Sequence, residues 1–501
     1  MSKTVKIVIA VVIGVLLVVG IGGAAVYYFT KNTPKNTYLL SEQETAKKLQ
    51  EYGEGRFENE FKFQDKMKDE SYLVNLSASV DVPNRLLKSA EIPKSAVDAT
   101  KLGLKVGHDP DKEESILSVT PTVADNEIGE FQWGADKNHQ YYSAPILDDV
   151  YKAKNDELTD VYKKVTGDTT SVNGDNKTVT NDTLNLNSLL SGSQISQDKI
   201  DEISSRYSEI IIDKLDDDNF EKDDATIKID GEDKDVNKVT MNISKGEVKS
   251  IVTKVLKEAK DDKDIKAIAE EQFKSEEYES TIEDALEDVK DTNKDEFPSV
   301  KSVIWEDDNQ ILKRDLTLKA QDGTEVKLTG TSQIDDDKLT MDYKIKAEDN
   351  TEISLKGEST KDDDKYKDEY KLVFDEGYKT TDLTLTNNES QDGDKRTDKG
   401  NVKVNANYET TTIDYDNTLE TDTKNNSQKQ DLKIMTDIDD EKVTFNIKGD
   451  TKLKEDIKFK QANAQDLNKM TDSDFRKLQR EISDKTEDIV KDVAKDIKDK
   501  K

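Results

Sequence analysis

The chain has 501 residues, no cysteine and a formal net charge of −33, with 37% charged and 33% hydrophobic residues. That acidity argues against nucleic acid and anionic lipid headgroups as partners. The missing cysteine excludes a disulfide framework, thiol chemistry and a lipid-modified lipoprotein cysteine.

Residues 7–29 carry no charge, and about 20 apolar residues span a bilayer's hydrocarbon core. The run is longer than the apolar region of a cleaved signal peptide, roughly 7–15 residues. It predicts a transmembrane anchor through Ile7, Val12, Leu16, Val19, Val26 and Phe29, a cleaved peptide being the alternative. Lys3 and Lys6 before it, against Lys31 and Lys35 after it, favour a cytoplasmic N-terminus only slightly. A short tail before a long apolar stretch usually exports the chain beyond it. The expectation is a single-pass protein of the cell membrane with its large C-terminal domain extracellular, and residues 1–36 as tail, anchor and stalk.

Residues 37–165 read as an N-terminal α+β region. Ser41 and Glu44 have capping-box spacing, and Leu76, Ala78, Val80 and Val82 alternate like a strand. Residues 166–195, rich in Thr, Asn, Asp and Gly without period, read as a linker or mobile loop. Residues 196–299 are mainly helical: Ser244 and Glu247 form a second capping box before Val248, Ile251, Val252, Val255 and Leu256.

Residues 300–462 decide against disorder, because apolar and polar positions alternate there with period two. Leu339, Met341, Tyr343 and Ile345 are the clearest run; Val404, Tyr408 and Phe445 belong to others. Turn signals separate the runs, among them Asp322-Gly323 and Asp439-Asp440. The pattern predicts an antiparallel meander with one wet face. The seven apolar positions just named are its candidate ligand-facing residues. Residues 463–501 read as a docking helix carrying Phe475, Leu478 and Ile482.

The fold class expected is α+β: a transmembrane helix, then an ectodomain whose large, curled antiparallel meander is covered by helices.

Catalytic apparatus is scarce. His108 and His139 sit in turn-like strings and read as solvated loop residues rather than metal ligands. The acidic strings at 216–224 and 335–337 lack the calcium-loop spacing and suit solubilising turns. Trp133 and Trp305 read as packing residues before carbohydrate platforms. No nucleophile elbow, phosphate loop or paired-histidine motif occurs. The expectation is a non-enzymatic protein with no cofactor and no metal site.

The string YLLSEQET from Tyr38, YYSAP from Tyr141 and DLNKM from Asp466 resemble an uncharacterised family of membrane-anchored exported proteins from Gram-positive bacteria. A meander closed by helices is similar, more distantly, to half-barrel carriers of the LolA/LppX type. That resemblance implies a lipophilic ligand on a concave apolar face, with no residue roles. Three functions are compatible with the sequence: binding of a lipid or other apolar ligand, an envelope module that binds another protein, and, last, a hydrolase.

Overall fold

The computed structural model describes residues 33–88, 91–166, 179–190, 197–229, 231–273, 278–347, 351–406 and 409–499. Two compact units divide the chain. The first comprises Met1–Phe57, Ile195–Asn387 and Lys403–Thr410, the second Glu58–Gln194, Asn388–Val402 and Thr411–Lys501.

Helix α1 (Pro34–Arg56) belongs to the first unit. Thr33 caps it, its hydroxyl accepting from the Asn36 amide at 3.2 Å, and Pro34 fills the first turn. The capping box expected at Ser41 is therefore not a helix start: Ser41 lies inside α1 and donates to the Thr37 carbonyl. A Thr-Pro pair upstream starts the helix first.

The second unit takes up the chain with α2 (Glu58–Asp69), β1 (Tyr72–Asp81), β2 (Lys101–Asp109), β3 (Glu114–Val123) and β4 (Asn126–Glu127). β5 (Phe131–Ala135), β6 (His139–Ser143) and β7 (Tyr151–Lys154) come next. The antiparallel order β1-β2-β3-β5-β6-β7 holds, with β4 a short addition to β3.

The first unit resumes with α3 (Gln197–Ile212), β8 (Phe220–Ile229), β9 (Glu232–Ile243), α4 (Lys245–Asp261) and α5 (Tyr278–Asp291). β10 (Ser299–Asp307), β11 (Gln310–Lys319), β12 (Glu325–Ile334) and β13 (Lys338–Lys346) lead to β14 (Glu352–Asp362) and β15 (Lys365–Asp375). Each strand from β8 to β15 pairs antiparallel with the next, as short turns dictate.

β16 (Thr380–Asp392) and β17 (Lys395–Ala406) hold residues of both units. β18 (Glu409–Asp422), β19 (Ser427–Ile438) and β20 (Glu441–Leu453) then extend the second unit, and β20 returns to pair with β1. β21 (Gln465–Asp466) lies parallel to β7, and α6 (Asp472–Asp499) ends the chain's described part. At the β19–β20 hairpin Asp439 and Asp440 both take positive φ, 50° and 61°. Such a two-residue turn matches the twist of the flanking strands.

The first unit's core joins Tyr38 and Leu39 of α1 to Met241 and Ile243 of β9, Val252 and Leu256 of α4, and Ile304 of β10. The capping box of α4 forms as expected, between Ser244 and Glu247. In the second unit Tyr151, Ala153, Leu158, Leu467, Phe475 and Leu478 form a smaller core, on which α6 docks through its apolar stripe.

The expected fold class needs correction. Among the described residues 21 strands occur, and the strands expected within residues 37–165 and 196–299 pair with those of the meander rather than standing apart from it. β8 and β9 continue into the meander's first strand, and β1 closes on its last. Among the described residues no helix is long and apolar enough to cross a membrane. The run with Ile7, Val12, Leu16, Val19, Val26 and Phe29 lies outside them. The transmembrane helix, the membrane as a partner reached through it, and the single-pass extracellular placement are withdrawn.

Candidate ligand-binding faces

Period two puts alternate residues of a strand on one face, and register then decides which side chains meet. In the first unit Leu328, Ile345, Ile353 and Phe374 stand opposite one another across β12 to β15. Two residues along lies the row Gly330, Tyr343, Leu355 and Leu372, and two further Ser332, Met341, Gly357 and Tyr370. The last row is Ile334, Leu339, Ser359 and Asp368.

These rows share a face, yet their burial differs along the strands. Leu339 and Ser359 are buried, Met341, Tyr343 and Leu355 half-buried, and Ile345 and Phe374 are 41% and 43% exposed. The reverse face carries Asp342, Lys344, Lys356 and Lys371, all exposed. An apolar face therefore runs from closed at its Leu339 end to open at its Ile345 end.

α1 covers the Leu339 end, and the neighbouring part of β11, with charge as well as apolar bulk. Arg314 of β11 donates from both guanidinium nitrogens to Glu42, the Nη1–Oε1 bond measuring 2.6 Å. Arg56 reaches Asp368 in the same bidentate way, at 2.9 and 2.7 Å. Asn387 adds a bond to Asp368 at 3.1 Å, and the Arg56 guanidinium lies 4.5 Å from the centre of the Tyr366 ring. Burial works against the Asp368 carboxylate, but the Arg56, Ser359 and Asn387 bonds outweigh it and hold its pKa below the ordinary value. Burial likewise opposes charge on Arg314, and the Glu42 carboxylate outweighs it, raising its pKa.

The second unit repeats the theme on a wider face. Val80, Phe445, Ile434 and Tyr415 stand in register across β1, β20, β19 and β18. The next row runs Leu102, Ala78, Ile447 and Leu432. Beyond it Val119, Leu104 and Leu76 meet Gly449, and then come Leu117, Val106 and Val74. None of these side chains is fully buried; Phe445 is 45% exposed and Leu102 47%. Asn75, Ser77, Lys433 and Lys448 on the reverse face are exposed.

Of the candidate positions, Leu339, Met341, Tyr343 and Ile345 thus lie on the first unit's graded face and Phe445 on the second unit's open one. Val404 is half-buried on β17, and Tyr408 lies outside the described residues. Sequence reasoning missed Leu104, Val106 and Leu117, whose strands are far from the meander in the chain. The signal was there in their alternation.

A polar cleft of about 250 Å³ in the second unit is lined by His108, Glu113, Lys137, Asn155, Asn185, Asn187 and Ser188. Its amides are committed to the fold. Gln140 donates to Asn155 and Asn185 at 2.7 and 3.0 Å and accepts from Trp133 Nε1 and the Leu186 amide at 2.8 and 3.0 Å. Two donors and two acceptor positions are its whole capacity.

His108 is not the solvated loop residue expected. It is the last residue but one of β2, on the strand side of the Pro110 turn, is 5% exposed, and its Nδ1 lies 2.8 Å from Ser115 Oγ. Burial lowers its pKa, against the pull of Asp109. His139 opens β6, half-buried. Trp133 stacks on Tyr142, and Lys313 Nζ lies 4.2 Å from the centre of the Trp305 ring. Among the described residues no group of three or more His, Asp or Glu side chains is placed to hold a metal ion.

No family model matches the chain, and no curated protein matches it. Among solved structures it is similar to OmpTdeltaL8, a loop L8 deletion mutant of the outer membrane protein OmpT of Vibrio cholerae. That match has 8% identity and a TM-score of 0.19, covering 76% of this chain and 97% of that one. OccAB4 of Acinetobacter baumannii matches at 6% identity and a TM-score of 0.21, covering 77% and 98%. Scores this low carry no argument about fold or activity.

Proposed function

We propose that this chain is a non-catalytic binding protein that holds an apolar ligand against the open apolar faces of its antiparallel sheets. One observation carries the reading: strands with a polar reverse side present aligned apolar rows that the protein's own described residues leave half-buried or exposed. A sheet face of this kind is normally covered by a second layer, and contiguous exposed apolar surface marks interaction sites. Isolated exposed apolar residues need no such explanation; residues in register across four or more strands do. The resemblance to half-barrel carriers points the same way by architecture and lends no residue roles.

The test is native mass spectrometry with lipid extraction on the full chain isolated without added detergent. A bound lipid in stoichiometric amount, lost when Ile345 and Phe445 are both replaced by Asp, is the expected result. A ligand-free mass, together with no uptake of an apolar dye by the wild-type chain, overturns the proposal. Capture of a protein partner on these faces overturns it in favour of an envelope module.

A further inference from the structure

The polar cleft of the second unit is walled by segments that hydrogen bonds hold in place. Pro110 and Glu113 come from the β2–β3 turn, Lys137 from the β5–β6 turn, Asn155 from just beyond β7, and Ser188 from the short helix Leu186–Leu190. Asn187 Nδ2 donates to the Glu113 and Asp136 carbonyls at 2.6 and 3.1 Å, joining that helix to both turns. Asn155 Nδ2 donates to the Asp136 and Lys137 carbonyls at 3.2 and 3.1 Å. Walls fixed in this way need little further ordering when a ligand binds.

Three groups on the walls keep hydrogen-bonding capacity that the fold does not use. His108 is buried and lines the cleft; Ser115 takes its Nδ1, while its Nε2 is buried with no partner among the protein's atoms. A buried polar atom left unpaired costs stability, so Nε2 is the group a ligand would serve most. Asn185 commits its Oδ1 to Gln140 and to the Asn187 amide, at 3.0 and 2.9 Å, and keeps its Nδ2 donors for the cleft. Ser188 Oγ has no bond to a neighbour among the described residues.

Size, charge and bonding pattern narrow what fits. The volume of about 250 Å³ falls below the ~300–1,000 Å³ of pockets for drug-sized molecules, which suits one small ring. Glu113 and Lys137 pair at 3.4 Å, so the rim offers one charge of each sign. The chain's net charge of −33 disfavours an anion. Among the lining residues Pro110 alone is apolar, and an apolar or flat aromatic ligand has little to bury against. A hydroxyl both donates and accepts. It therefore matches His108 Nε2 in either tautomer, the Asn185 donors and the Ser188 hydroxyl alike.

We propose that this cleft binds one neutral, polyhydroxylated ring, a single sugar residue, with a ring hydroxyl bonded to His108 Nε2. Its source is a free sugar or the sugar head of a glycolipid. His108 shares one face of β2 with Val106 and Leu104, so a chain attached to the ring would start beside apolar side chains.

Imidazole NMR signals of the full chain read this site directly, because the chain has only two histidines. His139 is the internal control: it precedes Gln140 on β6 and so lies on the reverse face from the cleft's amide network. His139→Gln assigns the two signals. Methyl glycosides of glucose, galactose and N-acetylglucosamine are the probes, and at least one should shift the His108 signal saturably while the His139 signal stays in place. Ser188→Ala should weaken that binding about threefold or more, the loss of one neutral hydrogen bond. Ser188→Tyr, which fills the cleft, should abolish it. Unaltered circular dichroism and thermal unfolding show that each variant folds. An octyl glycoside that binds about tenfold or more tightly than its methyl counterpart, through buried methylenes, identifies a glycolipid head; equal binding identifies a free sugar.

The proposal is overturned if no glycoside shifts the His108 signal, or if the shift keeps its full affinity in both Ser188 variants. A His108 shift produced by inorganic phosphate and by none of the glycosides overturns the assignment to a neutral sugar.

Discussion

Arg314 on β11 and Glu42 on α1 form a bidentate ion pair with side chains only 9% and 3% exposed. Two charges so buried contribute little net stability as a pair, because each loses its hydration, but removing one leaves the other uncompensated. Glu42→Gln should therefore destabilise the first unit by about 3–5 kcal/mol, read as a lower urea midpoint. The double replacement Glu42→Leu with Arg314→Met should recover most of that loss. If the single and double variants are equally unstable, packing and not charge pairing holds α1 in place.

The second pair gives a dependence on pH. Asp368 has its folded pKa held below the usual carboxylate value by Arg56 and its other partners, against the opposing effect of burial. Its stabilisation is fully present above the unfolded value, about 3.9, and is lost as pH falls through the folded one. The wild-type urea midpoint should fall on going from pH 6 to pH 3 more steeply than that of Asp368→Asn. The variant starts lower, since Arg56 then lacks its carboxylate, and it lacks this titration. Parallel slopes would show that Asp368 is not the acid-sensitive group.

Part of this architecture was legible in the sequence and part was not, for physical reasons. Leu339, Met341, Tyr343 and Ile345 alternate, and alternation reports a face directly. Asp439-Asp440 reports a turn because those residues tolerate positive φ. The pairing of β1 with β20 joins strands separated by most of the chain, and nothing local encodes that contact. Alternation also reads the same whether a face is covered or bare, so the graded opening from Leu339 to Ile345 could not be foreseen. His108 was misplaced because Gly107, Asp109 and Pro110 look like one turn, whereas the strand runs on to Asp109 before the turn begins.

His108 should report on the second unit as pH falls. Its folded pKa is lowered by burial, so at pH above the unfolded value of about 6.5 both states are neutral and its contribution is complete. Below that, the unfolded chain takes a proton the folded one resists, and stability declines until the folded value is passed. Asp109 opposes the shift, so the effect is smaller than burial alone would produce. Comparing urea midpoints at pH 7.5 and 5.5 in wild type and His108→Asn checks this. The variant should lose the part of the decline due to His108, leaving whatever the remaining groups supply to both proteins. An unchanged decline would place the proton elsewhere.

Gly357 and Tyr370 offer the sharpest packing test. They face each other on β14 and β15, and the Tyr370 ring lies over the glycine so closely that a Cβ there would collide with it. Gly330 and Tyr343 repeat the arrangement on β12 and β13. A glycine weakens a strand by itself, so its presence opposite an aromatic ring is explained by the ring occupying its space. Gly357→Ala raises intrinsic strand preference yet should destabilise by about 1–3 kcal/mol, the usual cost of overpacking. In Gly357→Ala with Tyr370→Ser the clash has no partner, so the two effects should fall short of additive by about 1 kcal/mol or more. Chemical denaturation of the four proteins in that cycle measures the coupling. Strict additivity would mean that the ring and the glycine are independent, and that the ring swings aside at no cost.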